Sequence, residues 1–164
     1  MTIEINKEIN QLAQSLGQLL QRHHYQIVTA ESCTAGGIGY AISSIAGSSA
    51  WLSGGLITYS NALKQRWLSV SSSILEQQGA VSAECAQAMA QGALQQADAS
   101  IAVAVTGIAG PDGGSEDKPV GLVWFAIACG DDCFSWSSIF SGDRAAVRQQ
   151  TIKEALTELV EYLK

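Results

Sequence analysis

The sequence predicts a three-layer α/β/α sandwich with a mixed, mostly parallel sheet, and three observations carry that prediction. Helix-like and strand-like segments alternate over the first two thirds of the chain, which is the pattern of helices laid on both faces of a sheet. The run Ile101-Ala102-Val103-Ala104-Val105 is short and continuously apolar, as a central strand buried on both faces requires. Two apolar or aromatic runs, 120–129 and 133–140, flank Gly130-Asp131-Asp132 and read as a β-hairpin that adds antiparallel pairing.

Taken in order, residues 3–23 place Ile5, Ile9, Leu12, Leu16, Leu19 and Leu20 on one helical face, with Gly17 weakening the helix without ending it. A strand over 26–30 leads into Thr29-Ala30-Glu31-Ser32-Cys33-Thr34-Ala35-Gly36-Gly37 and then a small-residue helix over 38–44. A Gly/Ser loop follows and closes on Trp51, and 54–59 reads as the second strand. Asn61 is the expected N-cap of the next helix, with Lys64 one turn in. Serines within 70–78 suit a short helix ending at Gly79, and Ser82 opens an alanine-rich helix to residue 97 that suits close packing on a sheet. After the apolar strand comes a long irregular loop, 106–119; loops of that length in compact domains are usually functional or disordered. Gly142-Asp143-Arg144 leads into a last helix over 143–163.

Length and composition bound the function. At 164 residues, with 47% apolar and 15% charged residues, a single folded domain spanning 1–164 is expected. No run approaches the roughly 20 apolar residues that cross a bilayer, and Glu4, Lys7 and Glu8 replace the apolar core of a secretory peptide. The cytoplasm is the expected location. A net charge of −6 argues against a nucleic-acid partner, which needs a basic face. Cys33, Cys85, Cys129 and Cys133 form no CxxC pair, and His23 and His24 sit together at a helix end, so no metal site is expected.

The chemistry is expected where three strands end. A strand that runs into hydroxyls, a carboxylate and glycines and then enters a helix offers a rigid serine beside unpaired N–H donors. Ser32 is therefore the candidate reactive residue, with a structural cap as the alternative. His23 and His24 fall on the far side of the first strand, leaving Lys64 as the best available base in a serine–lysine pair. A lysine at its ordinary pKa of about 10.4 holds its proton at neutral pH, so this role demands burial or a nearby cation; a solvated helix residue is the alternative. Glu31 reads as an anchor of the turn or as an ion-pair partner, and Tyr59 as a ring-orienting residue or core packing. Arg144 and Arg148, four apart at the start of the last helix, oppose its dipole there, which suits an anionic ligand or an ion pair with Asp143 or Glu31.

Several stretches together resemble the CinA C-terminal domain family. They are 29–34, 45–51, Thr58-Tyr59-Ser60-Asn61 with Lys64, Gly79-Ala80-Val81-Ser82, 106–114, Lys118-Pro119-Val120-Gly121 and Gly142-Asp143-Arg144 with Arg148. The match spans nearly the whole chain in one order and is nearest to the stand-alone members that are nicotinamide-nucleotide amidohydrolases. The resemblance implies deamidation of nicotinamide mononucleotide to nicotinate mononucleotide and ammonia in pyridine nucleotide recycling, with Ser32 as nucleophile and Lys64 as general base. It places Tyr59, Ser48, Asn61, Thr106, Gly107 and Arg148 around the pocket, with no metal or organic cofactor. In the mechanism it suggests, backbone N–H groups of Cys33 or Thr34 hold the oxyanion beside a substrate-contacting Thr34, and the phosphate sits near Arg148, Arg144 or a glycine-rich helix start. The expected partner is a small nucleotide, with no membrane, and a homodimer is the expected assembly. Ala35 departs from the family, many members of which have a glycine there. The alternative reading is a catalytically weak or inactive nucleotide-binding or regulatory module.

Overall fold

The computed structural model describes residues 6–164; Glu4 and Ile5 lie outside the described residues. The order of elements is helix α1 (Lys7–His23), strand β1 (Ile27–Glu31), α2 (Gly37–Ser43), a one-turn 3₁₀ helix (Ser48–Ala50), β2 (Leu52–Ile57), α3 (Asn61–Leu68), α4 (Ser72–Gln77), α5 (Ala83–Ala97), β3 (Ile101–Gly107), β4 (Leu122–Cys129), β5 (Asp132–Ile139) and α6 (Arg144–Leu163).

The five strands form one sheet in the order β2-β1-β3-β4-β5. β1 pairs parallel with both β2 and β3, while β4 runs antiparallel to β3 and to β5. Only β4 therefore runs against the other four. The mixed sheet expected from the alternation and the hairpin is present.

Side-chain alternation along the strands splits the core into two layers. Ile27, Ile101, Val103, Val105, Phe125 and Ile127 pack with α1, α2 and α6 on one face. The opposite face presents Val28, Ala30, Ala102, Ala104, Ala126 and Ala128 to the alanines of α5 and to Leu68 of α3. Small side chains on both partners bring α5 close to the sheet, as its composition suggested. α5 also lies close against the end of α3: a Cβ at Gly92 would lie 2.0 Å from the carbonyl oxygen of Leu68.

Gly17 in α1 has a packing reason as well. The Trp51 indole lies against it, and a Cβ there would stand 2.7 Å from Trp51 Cζ2. The weak helix residue is thus the seat of a buried aromatic ring.

The boundaries of β2 and α3 differ from the sequence reading in ways that bear on the site. β2 begins at Leu52 and stops at Ile57, two residues earlier than expected, because Thr29 to Glu31 of β1 pair with Gly55 to Ile57. The cap of α3 is Ser60, whose hydroxyl accepts the Leu63 N–H; Asn61 is the first helical residue. The caps Ser71, Ser82 and Asp143 each accept a backbone N–H from the first turn of the helix that follows.

Candidate active site

The carboxyl ends of β1 and β3, with the segment after β2, meet at one edge of the sheet, and the Ser32 turn sits among them. The turn is tightly bonded. Ser32 N–H donates to Val105 of β3, Ala35 N–H to the Ser32 carbonyl and Gly37 N–H to the Thr34 carbonyl. Ala35 (φ 48°) and Gly36 (φ 95°) are both left-handed, as the two central residues of a type I′ turn must be.

Glu31 fastens this turn to α2. It is 1% exposed. One carboxylate oxygen accepts Thr34 Oγ1 (2.6 Å) and the Ile38 N–H (2.8 Å); the other accepts Thr29 Oγ1 and the Gly39 N–H (both 3.0 Å). Of the two roles open in the sequence, anchor or ion-pair partner, the anchor is the one present. A consequence corrects the sequence argument: the N-terminus of α2 is not an open anion site, because the protein's own carboxylate fills it. The donors left beside Ser32 are the backbone N–H groups of Cys33 and Thr34, which among the described residues donate to no protein oxygen.

Lys64 enters from the first turns of α3 and is 1% exposed. Its Nζ lies 3.1 Å from Ser32 Oγ, 2.8 Å from the Thr58 carbonyl and 3.1 Å from the Tyr59 carbonyl. Loss of water around the ammonium lowers the Lys64 pKa, against a smaller opposing pull from the Cys85 and Cys33 thiols. Those two thiols are themselves pushed up to about 11, chiefly by burial, so they stay protonated at neutral pH and the opposing pull is absent there. The demand that the sequence placed on this lysine, burial, is met.

A cavity of about 280 Å³ opens over Ser32 and Lys64, with Tyr59, Asn61, Thr106, Gly107, Asp112 and Arg144 among its lining residues. It lies just under the usual range of small-molecule pockets, about 300–1,000 Å³. Arg144 spans its mouth, donating to the Gly110 carbonyl and to the Tyr59 hydroxyl (both 2.8 Å), so α6 ties the loop after β3 to the segment after β2. Tyr59 is 55% exposed, which leaves its ring faces available. Thr106 uses its hydroxyl on the Ala80 carbonyl. Gly107 is pressed against β4, where a Cβ would meet Val123 Cγ2 at 2.7 Å.

Three candidates lie elsewhere. Thr34 is buried, and its hydroxyl serves Glu31 rather than the cavity. Ser48 belongs to the 3₁₀ helix that precedes β2, at the opposite edge of the sheet from Ser32, and donates to Ser43. Arg148 reaches the back of the turn, donating from Nε to the Cys33 carbonyl (3.1 Å) and from Nη2 to the Thr34 carbonyl (3.2 Å). Neither arginine pairs with a carboxylate among the described residues. Asp112 also lines the cavity, and its only signal in the sequence is its place in the long irregular loop 106–119. Among the described residues no cluster of three His, Cys, Asp or Glu side chains is placed to hold a metal ion, and no helix is long and apolar enough to cross a membrane.

Known proteins resemble this chain over nearly its whole length. The chain is 52% identical over 153 residues to a protein of Pseudomonas putida named nicotinamide-nucleotide amidohydrolase PncC, covering 93% of this chain and 96% of that one. It is 48% identical over 155 residues to the protein of the same name from Escherichia coli strain K12, covering 94% of each. A crystal structure described as competence/damage inducible protein CihA from Agrobacterium tumefaciens superposes with a TM-score of 0.95 at 38% identity, over the full length of both chains. The family model described as CinA C-terminal domain matches residues 9–163, and the chain belongs to that family.

Proposed function

We propose that this protein is an amidohydrolase that converts nicotinamide mononucleotide to nicotinate mononucleotide and ammonia, with Ser32 as nucleophile and Lys64 as its base. The observation that carries the mechanism is the buried Lys64 Nζ 3.1 Å from Ser32 Oγ. The substrate comes from the activity named for the full-length relatives.

The hydrogen bonds of Lys64 suit the neutral amine. An uncharged –NH₂ has two N–H donors and one lone pair. In that form the carbonyls of Thr58 and Tyr59 accept the two N–H bonds, and the lone pair is left for the Ser32 hydroxyl in place of the third donor of the ammonium. Lys64 takes the Ser32 proton as Oγ bonds to the carboxamide carbon, and the carbonyl π electrons move to oxygen. The N–H groups of Cys33 and Thr34 receive that oxyanion, a contribution of about 10²- to 10³-fold per donor in comparable sites. On collapse, the C–N bond breaks and Lys64 returns the proton, so that ammonia leaves and a nicotinoyl ester remains on Ser32. Water then attacks the ester as Lys64 accepts its proton. The C–O bond to Ser32 breaks, and the proton passes back to Oγ.

Arg144 is the cation at the mouth and the residue for the substrate phosphate. Tyr59 offers a ring face to the cationic pyridinium, and Asn61 a polar side chain at the rim. Such an enzyme acts on a soluble nucleotide in the cytoplasm, and a homodimer is its expected assembly.

The test is ammonia release from nicotinamide mononucleotide and from free nicotinamide by the purified protein. Release from the mononucleotide in clear preference is expected. Equal turnover of both would remove the phosphate from recognition, and binding without release would turn the reading toward a nucleotide-binding module.

A further inference from the structure

Arg148 stands where a phosphate-binding arginine of the last helix would be sought, yet it does not line the cavity above Ser32. It lies on the other side of the catalytic turn, beside Thr34, Gly36, Gly37 and Ile152. Two of its donors are spent on the carbonyls of Cys33 and Thr34. Four residues earlier on the same helix, Arg144 faces the cavity. The pair therefore divides its work between the front and the back of the site.

The Cys33 carbonyl and the Thr34 N–H belong to one planar trans peptide, in which the C=O and N–H point in opposite directions. An arginine that draws the Cys33 oxygen toward itself turns the Thr34 N–H away from itself. The positive charge on the oxygen side also polarises the peptide and strengthens that N–H as a donor. Glu31 holds the Thr34 side chain and the first N–H groups of α2, so this peptide has no helix-terminal alternative to stabilise an anion.

Resting on the serine amidohydrolase reading above, we propose that Arg148 is a positioning residue: it aims and polarises the Cys33–Thr34 peptide as an oxyanion donor and does not bind the substrate. An arginine that bound the phosphate would act on substrate affinity. One that sets the oxyanion donor acts on the transition state, and its effect does not depend on the phosphate.

The experiment measures Arg148→Gln and Arg148→Lys against nicotinamide mononucleotide and nicotinamide riboside. In parallel it follows the rate at which a fluorophosphonate probe labels Ser32. That adduct is tetrahedral and uses the same donors without any nucleotide. With one donor misaimed rather than deleted, kcat of Arg148→Gln is expected to fall roughly 10- to 100-fold, below the full loss of an oxyanion donor. KM should stay within about twofold of wild type, and the labelling rate should fall by a similar factor to kcat. Arg148→Lys, with one charged donor in place of the fork, should lie between. Labelling at the wild-type rate overturns the proposal, as does a rise in KM alone that vanishes with the riboside. If the wild type labels at Ser32 but releases no ammonia, the substrate reading fails and the labelling ratio still decides the role of Arg148. If the wild type neither labels nor turns over, both fall. Should Arg148→Gln not fold, the Arg148→Lys labelling ratio carries the test.

Discussion

Glu31→Gln perturbs the turn on which the site depends with almost no change of shape. The carboxylate accepts four hydrogen bonds, two at each oxygen, and each oxygen takes one hydroxyl and one backbone N–H. An amide replaces one oxygen by a donor. Thr29 or Thr34 can rotate its hydroxyl to accept from that nitrogen, but the N–H of Ile38 or Gly39 cannot. Whichever way the amide sits, one backbone donor loses its partner and faces another donor. A hydrogen bond to a charged group contributes about 1.5–3 kcal/mol, and an unsatisfied buried donor costs about 1–3 kcal/mol. Since these overlap, the expected loss is about 3 kcal/mol. At about 2–4 °C per kcal/mol for a domain of this size, the melting temperature should fall by roughly 6–12 °C. Urea unfolding followed by circular dichroism, with the m-value compared to wild type, measures it. Activity should fall as well, since the same turn carries Ser32. A loss below about 0.5 kcal/mol at unchanged m would refute the claim that this carboxylate anchors the turn.

Four other outcomes are expected. The neutral form of Lys64 is the base, and burial lowers its pKa, so kcat/KM should rise with pH and level off below the ordinary lysine value of about 10.4; a profile that begins to rise only there would contradict the assignment. Between the lowered native value and about 10.4 the unfolded chain binds the extra proton, so the Lys64 contribution to stability falls as pH falls through that window and then levels off; it is read as the difference between wild type and Lys64→Met, in which the opposite slope of the buried Cys33 and Cys85 thiols cancels. Gly92→Ala gains about 1 kcal/mol of helix propensity, but its methyl would sit 2.0 Å from the Leu68 carbonyl oxygen; the net effect in chemical denaturation should be a loss of roughly 1–3 kcal/mol. Ala35→Gly relieves a left-handed alanine at φ 48° and should stabilise the protein by roughly 0.5–1 kcal/mol, and destabilisation on the same measurement would mean that the turn is not strained there.

Much of this was legible in the sequence where the signal is local. The unbroken apolar run at 101–105 became the central strand β3, and the glycine-aspartate hairpin became β4 and β5. The Ser32–Lys64 juxtaposition followed from both residues lying just past parallel neighbouring strands. What was not legible depends on three-dimensional closure. Ser60 and Asn61 are both good caps, one residue apart, and only the pairing of β1 with β2 decides which ends up at the helix start. Ser48 lies in a conspicuous Gly/Ser loop, but that loop precedes β2 and so falls at the wrong edge of the sheet. An open helix N-terminus is the usual reading of a strand-turn-helix with glycines; here a carboxylate seven residues before the Ile38 N–H fills it, which spacing alone does not reveal. Arg148 has the composition of a phosphate ligand, and its direction, to the back of the turn, comes only from how α6 packs.

The central claim is that Ser32, activated by Lys64, attacks a carboxamide. Its most direct test is the rate of ammonia release from nicotinamide mononucleotide by Ser32→Ala beside the wild type, with the unfolding midpoints of both measured in the same buffer. Release by the wild type, matched mole for mole by nicotinate mononucleotide, is expected, with Ser32→Ala at the uncatalysed background rate and its fold unchanged. Release by a folded Ser32→Ala at the wild-type rate would contradict it.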